Sequence, residues 1–137
     1  MIGILIIAHG TLGESLIHCA SHVFGGHPPH LAHMDVALHD EPNTLLPRAQ
    51  ALIKQLDQGD GVLVLSDMYG ATPCNISCQL IDLGRVDVVA GVNLPMLVRV
   101  LTYRNEALPV LVEKAISGGR DGVIEVSKEA CRVAAGR

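Results

Sequence analysis

The alternation of short aliphatic runs with segments of helical periodicity is the feature that most limits the fold of this chain. The runs contain few polar side chains, as strands do when helices cover both faces of their sheet. We predict strands at residues 2–7, 31–38, 61–66 and 86–90, with a weaker fifth at residues 122–126. Strands that alternate with helices in this way predict an α/β protein with a mainly parallel sheet.

Few topologies are open to such a sheet, because its crossover connections are right-handed. The flavodoxin-like three-layer sandwich places the strands in the order 2-1-3-4, followed by the fifth. Strands 1 and 3 are then neighbours, and the helices that follow them leave to opposite faces. A crevice opens beyond the carboxyl ends of these two strands, where such sheets bind their ligands.

Helical periodicity is clearest at residues 44–57, where apolar positions recur every three or four residues. Thr44 is suited to be the N-cap of this helix, and Pro47 then falls in the first turn, where a missing amide is tolerated. Two further helices are predicted at residues 94–104 and 107–117.

Polar residues and glycines suggest where the other helices begin and end. Thr11 and Glu14 have the spacing of a capping box, in which each side chain accepts a hydrogen bond from the other residue's amide. Thr72 followed by Pro73 fits an N-cap with proline at the first helical position. The two glycines at 118–119 are expected to end the helix that precedes them.

Charge and composition exclude several classes of function. The formal net charge is −4 and no Lys/Arg cluster is present, so binding of nucleic acid or of an anionic membrane is not expected. No apolar run approaches the roughly 20 residues that span a bilayer, and no basic segment precedes the first apolar run. We therefore expect a cytoplasmic protein whose four cysteines stay reduced.

Two loops should meet at the crevice, one after strand 1 and one after strand 3. The candidate site residues that they carry are His9, Gly10, Thr11, Asp67, Gly70, Ala71 and Thr72. A neutral imidazole is a nucleophile, and a carboxylate that accepts the N–H of one ring nitrogen leaves the other nitrogen free to attack. We therefore predict His9 and Asp67 as the catalytic pair.

The remaining five residues of this set are candidate phosphate ligands. They lie at the beginning of two predicted helices, where unpaired amides and the helix dipole favour an anion. Gly70 and Ala71 have little side chain that could obstruct it. His9, Asp67 and Thr72 also have structural explanations, since a histidine or an aspartate often simply finishes a strand and a threonine often caps a helix. The coincidence of these groups at adjacent strand ends favours the functional interpretation.

The other histidines are weaker candidates. His18 and His22 are four residues apart on a predicted helix and could share a metal ion, with His33 nearby on the second strand. No cysteine or carboxylate falls at a recognised third-ligand spacing, so we predict neither a metal site nor a cofactor. A metal or ligand sensor built on these three histidines remains an alternative function.

Three segments together resemble the IIA domain of the mannose family of the bacterial phosphoenolpyruvate-dependent sugar phosphotransferase system. The segments read IIAHG at residues 6–10, LVLSDMYGATPCN at 63–75 and VAGVNLPML at 89–97. The resemblance extends over about residues 1–126 and leaves residues 127–137 as a polar tail.

The resemblance implies a phosphoryl carrier with a flavodoxin-like fold. His9 matches the histidine that accepts a phosphoryl group from the phosphocarrier protein HPr and passes it to a IIB component. Asp67 matches the carboxylate that orients this histidine, and Thr72 stands where the family has Ser or Thr near the phosphate. Members are dimers that exchange a C-terminal strand, here residues 122–126. A membrane would be reached only through a partner permease.

Several positions depart from the family pattern, and several questions stay open. Ala8, Met68, Tyr69 and Ala71 replace residues more common in the family, which affects the hydrogen bonding expected around the phosphate. Asn93 could line the crevice or merely shape a turn. The sugar, and a role in uptake or regulation, are not determined, and a phosphoryl subunit of a dihydroxyacetone kinase is an alternative on the same fold.

Overall fold

A computed structural model describes residues 1–136 of the chain as an α/β fold of four strands and six helices. The strands are β1 (Gly3–His9), β2 (Leu31–Val36), β3 (Val62–Ser66) and β4 (Val86–Ala90). The helices are α1 (Leu12–Phe24), α2 (Pro42–Leu56), α3 (Thr72–Cys78), α4 (Leu94–Thr102), α5 (Leu108–Asp121) and α6 (Lys128–Ala134).

The four strands form one parallel sheet in the order β2-β1-β3-β4, which confirms the predicted order. Helices α1, α4 and α5 pack on one face, and α2 and α3 pack on the other. The helices that follow β1 and β3 therefore leave to opposite faces. The carboxyl ends of β1 and β3 lie side by side between these helix layers, with Ile7 paired to Ser66.

Burial on both faces explains the aliphatic runs. Along β1, Ile4 and Ile6 belong to the core beneath α1, α4 and α5, whereas Leu5 and Ile7 belong to the core beneath α2 and α3. All four side chains are fully buried. Because successive strand residues point to opposite faces, a two-sided sheet needs an apolar residue at almost every position.

The predicted capping box of α1 is wrong, although the helix begins where it was expected. Thr11 is the N-cap, but its side chain makes no capping hydrogen bond. Its backbone has φ −101° and ψ 15°, which is outside the extended conformation that aims an N-cap hydroxyl at the first helical amides.

The predicted N-caps of α2 and α3 are also displaced. Helix α2 begins at Pro42 after an extended Glu41, so Thr44 lies inside the first turn and Pro47 lies inside the helix. Proline at the first helical position already has a suitable φ and needs no amide partner, which favours this earlier start. Helix α3 has Ala71 as its N-cap, and Thr72 is its first residue.

The glycines at 118–119 do not end α5, which continues to Asp121. Both are buried where α5 packs against α4. A Cβ at Gly118 would lie 2.9 Å from Cβ of Arg99, and a Cβ at Gly119 would lie 2.9 Å from Cε of Met96. These glycines therefore allow the two helices to approach closely.

The predicted fifth strand does not pair with the sheet of its own chain. Residues 123–127 are irregular, and Val123, Ile124 and Val126 are 78%, 66% and 70% exposed. The tail beyond them contains α6, whose N-cap hydroxyl on Ser127 accepts a hydrogen bond from the amide of Ala130. Within the described part of the chain, no helix is long and apolar enough to cross a membrane.

Arg104 connects three segments at the amino end of the sheet. Its guanidinium donates hydrogen bonds to the carbonyls of Ile2, Pro29 and His30 at 2.6–3.0 Å, and only 4% of the residue is exposed. No carboxylate pairs with it among residues 1–136. Burial lowers the pKa of Arg104 to about 10, so the side chain still carries its charge at neutral pH.

We expect Arg104→Met to destabilise the fold, because it removes the donor from three carbonyls while keeping most of the apolar stem. The unfolding free energy should fall by about 2–4 kcal/mol in urea denaturation. The control is Arg48→Met on the exposed face of α2, which should change it by less than about 0.5 kcal/mol. Equal shifts in the two variants would contradict this role for Arg104.

Candidate functional site

His9 and Asp67 meet at the carboxyl edge of the sheet, as their positions predicted. His9 is the last residue of β1, and Asp67 directly follows β3. The ring Nδ1 of His9 lies 2.6 Å from Oδ2 of Asp67, and the backbone N–H of His9 donates to the same oxygen at 3.0 Å. Because β1 and β3 are parallel neighbours with Ile7 paired to Ser66, the two side chains begin within one residue of the same level of the sheet.

The Asp67 carboxylate is held ionised. Partial burial alone would raise its pKa, but the hydrogen bonds and positive charge from His9 and the backbone N–H of Met68 outweigh this effect. The net result is a pKa for Asp67 below its ordinary value. The Met68 N–H lies 2.9 Å from Oδ1, so both carboxylate oxygens accept hydrogen bonds.

An ionised carboxylate can only accept, so Nδ1 of His9 must carry the proton in this contact. In the neutral ring, Nε2 then holds a free lone pair. Nε2 has no hydrogen-bond partner within residues 1–136, and the His9 side chain is 52% exposed, against 11% for Asp67. The arrangement can therefore supply an oriented, accessible nucleophile.

The start of α3 offers unpaired amides after the Asp67 loop. The backbone N–H groups of Gly70, Ala71 and Thr72 have no acceptor in the described chain. Gly70 has φ 86°, a conformation that favours glycine, and a Cβ there would meet nothing within 4 Å. The exposed Thr72 hydroxyl also makes no hydrogen bond to residues 1–136.

The other predicted phosphate ligands lie beside His9 and differ in what they can offer. The amide of Gly10 donates to the carbonyl of Val36 at 3.0 Å, so it is already used by the sheet. Gly10 has φ 54° and its missing side chain leaves open space. The amide of Thr11 has no acceptor among the described residues. Only Thr11 of this pair can therefore contribute an amide.

Asn93 has a structural role at the start of α4. Its Oδ1 accepts a hydrogen bond from the amide of Met96 at 2.9 Å, and its Nδ2 donates to the carbonyl of Gly119 at 3.1 Å. The side chain thus caps α4 and ties it to α5. Of the two interpretations of Asn93, the structure favours the turn-shaping one.

The remaining histidines are not gathered around a metal position. The rings of His18 and His22 meet edge to face with their centroids 5.0 Å apart, and Nδ1 of His33 lies 2.8 Å from Oδ1 of Asp35. Within residues 1–136, no group of three or more His, Cys, Asp or Glu side chains could hold a metal ion. The metal-sensor alternative therefore gains no support.

The donors that hold the Asp67 carboxylate could not be found from residue types. The backbone amides of His9 and Met68 hold the Asp67 carboxylate, and main-chain donors leave no signal in a side-chain pattern. Ser66, next to Asp67, is fully buried, and its hydroxyl has no hydrogen-bond partner within residues 1–136, so no contact gives it a role in the site. In the sequence it reads simply as the last residue of a strand.

Comparison with known proteins gives consistent matches. The family model described as "PTS system fructose IIA component" matches residues 3–116. The mannose-specific EIIAB component of the phosphotransferase system (PTS) of Escherichia coli is 34% identical over 125 residues, which are 89% of this chain and 38% of that protein. This chain therefore spans less than two fifths of that relative.

Two further proteins match this chain over most of their own length. The fructose-specific EIIA component of Bacillus subtilis is 31% identical over 105 residues, 76% of this chain and 71% of that protein. The crystal structure of the component EIIA from Streptococcus agalactiae superposes with a TM-score of 0.81 and 26% identity, covering 91% of this chain and 97% of that one.

The lowered pKa of Asp67 predicts that the wild type is more stable than Asp67→Asn, by an amount that depends on pH. The unfolded chain binds a proton at Asp67 more readily than the folded chain, so the gain is complete above about pH 5. It should shrink once the pH falls below the ordinary pKa of an aspartate, about 4, and be lost when the pH is below the lower folded-state pKa of Asp67. Urea denaturation between pH 7 and pH 3 measures it.

The matched control is Asp82→Asn, because the carboxylate of Asp82 is exposed and has no hydrogen-bond partner within residues 1–136. Its difference from the wild type should stay nearly constant over the same range. A constant difference for Asp67→Asn as well would show that the carboxylate is not stabilised in the fold.

Proposed function

The chain belongs to the family of fructose- and mannose-type IIA components of the PTS, and on that premise we propose that His9 carries a phosphoryl group between HPr and a IIB component. The observation that carries the proposal is the 2.6 Å contact between Nδ1 of His9 and Asp67, which leaves Nε2 free and exposed. The chain would act in the cytoplasm and need no metal or cofactor for this transfer.

In the first step, Nε2 of His9 attacks the phosphorus of the donor's phosphohistidine. The new N–P bond forms as the donor's N–P bond breaks, and the donor imidazole leaves with the electron pair of that bond. The Nδ1 proton stays between the His9 ring and the ionised Asp67, so no external base is required. The carboxylate also stabilises the positive charge that develops on the His9 ring as Nε2 gives up its lone pair.

The phosphoryl oxygens would be received by amides beside His9. Those of Thr11, Gly70, Ala71 and Thr72 have no acceptor among the described residues and suit an anion. The Thr72 hydroxyl can donate one further hydrogen bond. Because the amide of Gly10 is occupied, we propose that Gly10 contributes only space for the group.

The second step reverses the roles of His9. A cysteine thiolate or a histidine of the IIB component attacks the phosphorus, the bond to Nε2 breaks, and the electron pair returns to the His9 ring. Hydrogen bonds to the phosphoryl oxygens help in both directions, because they stabilise the charge on the group in transit. Asp67 keeps the ring in the same orientation throughout, so His9 is ready for another cycle.

We also propose a dimer that exchanges the C-terminal segment of a IIA domain spanning residues 1–126. The outer edge of β4 borders a groove of about 570 Å³ that is lined by Val89, Ala90 and Val112, among others. The segment at 123–126 leaves three aliphatic side chains exposed. An unpaired sheet edge and an unpaired apolar segment can satisfy each other between two chains.

The test of the carrier is incubation with phosphoenolpyruvate, Enzyme I and HPr. The wild type should acquire acid-labile, alkali-stable phosphate, and His9→Gln should acquire none, because Nε2 is lost. The control His22→Gln changes an exposed histidine in the last turn of α1, away from His9, and should be labelled normally. Labelling of His9→Gln at the wild-type level would reject the proposal.

The variant Asp67→Asn serves as a second control in this assay. It keeps the nucleophile but lets the amide present an N–H to the ring, which favours the tautomer with the proton on Nε2. Transfer should slow by about tenfold or more without being abolished, because the wrong tautomer predominates. An unchanged rate would remove Asp67 from the mechanism while leaving His9 as the carrier.

The test of the dimer is the molar mass in solution, measured by light scattering after gel filtration. The wild type should have twice the mass of one chain, and Ile124→Lys should be monomeric, because two charges would enter the paired apolar segments. The control Leu38→Lys alters a side chain that is 92% exposed beside the opposite edge of the sheet, and should stay dimeric. A monomeric wild type would contradict the exchange.

A further inference from the structure

Large apolar side chains are exposed on the two loops that flank His9. Leu38 follows β2 and is 92% exposed, and Met68 and Tyr69 follow Asp67 and are 58% and 86% exposed. A single exposed apolar side chain needs no explanation, but three beside one reactive group indicate a contact surface. They project outwards, so they suit another protein better than a small molecule.

The turn that carries Leu38 is held in place beside His9. The backbone of Val36 pairs with His9 in the sheet and accepts the amide of Gly10. Asp40 then closes the turn, because its carboxylate accepts the amide of Ala37 at 2.8 Å and its own amide donates to the carbonyl of Ala37 at 3.1 Å. Leu38 is therefore presented on a hydrogen-bonded turn, which reduces the entropy lost on binding.

The charge around this surface has one sign. The first Lys or Arg of the chain is Arg48, and none occurs between Lys54 and Arg85. The loops at the carboxyl ends of β1, β2 and β3 consequently contain no Lys or Arg. They do contain Asp40 and Glu41, and the Glu41 side chain is exposed and makes no capping hydrogen bond.

We infer that Leu38, Tyr69 and Glu41 form a docking surface for the protein that donates the phosphoryl group. This inference rests on the proposed function of His9. A donor brings a dianionic phosphoryl group towards an acidic rim, so it must carry its own Lys or Arg around an apolar patch. Leu38 and Tyr69 contact that patch from either side of His9, and Glu41 attracts the cations.

The charge arm of the test compares Glu41→Lys with Glu106→Lys in steady-state phosphotransfer from the phosphorylated donor. Glu106 is exposed in the α4–α5 connection, at the opposite end of the sheet. Glu41→Lys should lower kcat/KM by about tenfold at low salt, with kcat unchanged and a weaker dependence on ionic strength. Glu106→Lys should behave as the wild type. Equal effects of Glu41→Lys and Glu106→Lys would overturn the proposed role of Glu41 in attracting the donor's cations.

The apolar arm compares Leu38→Ser with Leu83→Ser, since Leu83 is 90% exposed in the α3–β4 connection. Leu38→Ser should raise KM for the donor by about fivefold with kcat unchanged, and Leu83→Ser should not. Phosphorylation of His9 by phosphoramidate, which needs no docking, should be equal in both variants. A loss of phosphoramidate labelling in Leu38→Ser would show a damaged site and overturn the docking role.

The outcomes separate this inference from the proposed function. If the donor does not label wild-type His9, the carrier function fails. If His9 is labelled and both variants match their controls, the carrier stands and the docking surface is rejected. If Leu38→Ser changes the molar mass in solution instead of KM, the surface binds a second copy of this chain, which also rejects a donor site.

Discussion

The parallel pairing of β1 with β3 is the constraint on which the rest of this site depends. It places the ends of two strands that are far apart in sequence at one level, so that His9 and Asp67 meet without any long loop. The following helices leave to opposite faces and open the space above the pair. A change by one residue in the register of β1 with β3 would turn every side chain on the shifted strand to the other face. The contact between His9 and Asp67 would then be lost.

Much of the fold could be predicted from the sequence, because its strands are buried on both faces and are therefore aliphatic throughout. The order of the strands follows from right-handed connections, and the pairing of His9 with Asp67 follows from that order. Helix ends were predicted less well. Thr11, Thr44 and Thr72 have the side chain of an N-cap, but capping also requires a backbone conformation that residue type alone does not set.

Glycine shows the same limit, because residue type alone does not determine where a helix ends. The pair at 118–119 has the composition of a helix end, yet it lies inside α5, where Cβ of Arg99 leaves no room for a Cβ at Gly118 and a Cβ at Gly119 would displace the end of the Met96 side chain. This requirement exists only once α4 and α5 are packed together. The segment at 122–126 is a related case, because its aliphatic residues predict a strand but its own sheet gives it no partner. Local pattern thus predicts the tendency of a segment, while the packing of distant segments decides how it is used.

The chemistry and the recognition of this site are supported by different parts of the structure. Asp67 is mostly buried and is fixed by backbone amides, so the orientation of the His9 ring depends on main-chain geometry that side-chain variation nearby hardly alters. The exposed side chains at Leu38 and Tyr69 belong to loops and are not needed for the core. On the proposed function, substitution there would change the partner without disturbing the nucleophile. The proposed carrier exchanges a group with two proteins and would benefit from this separation, since its reactive group would stay constant while the surface around it adapts.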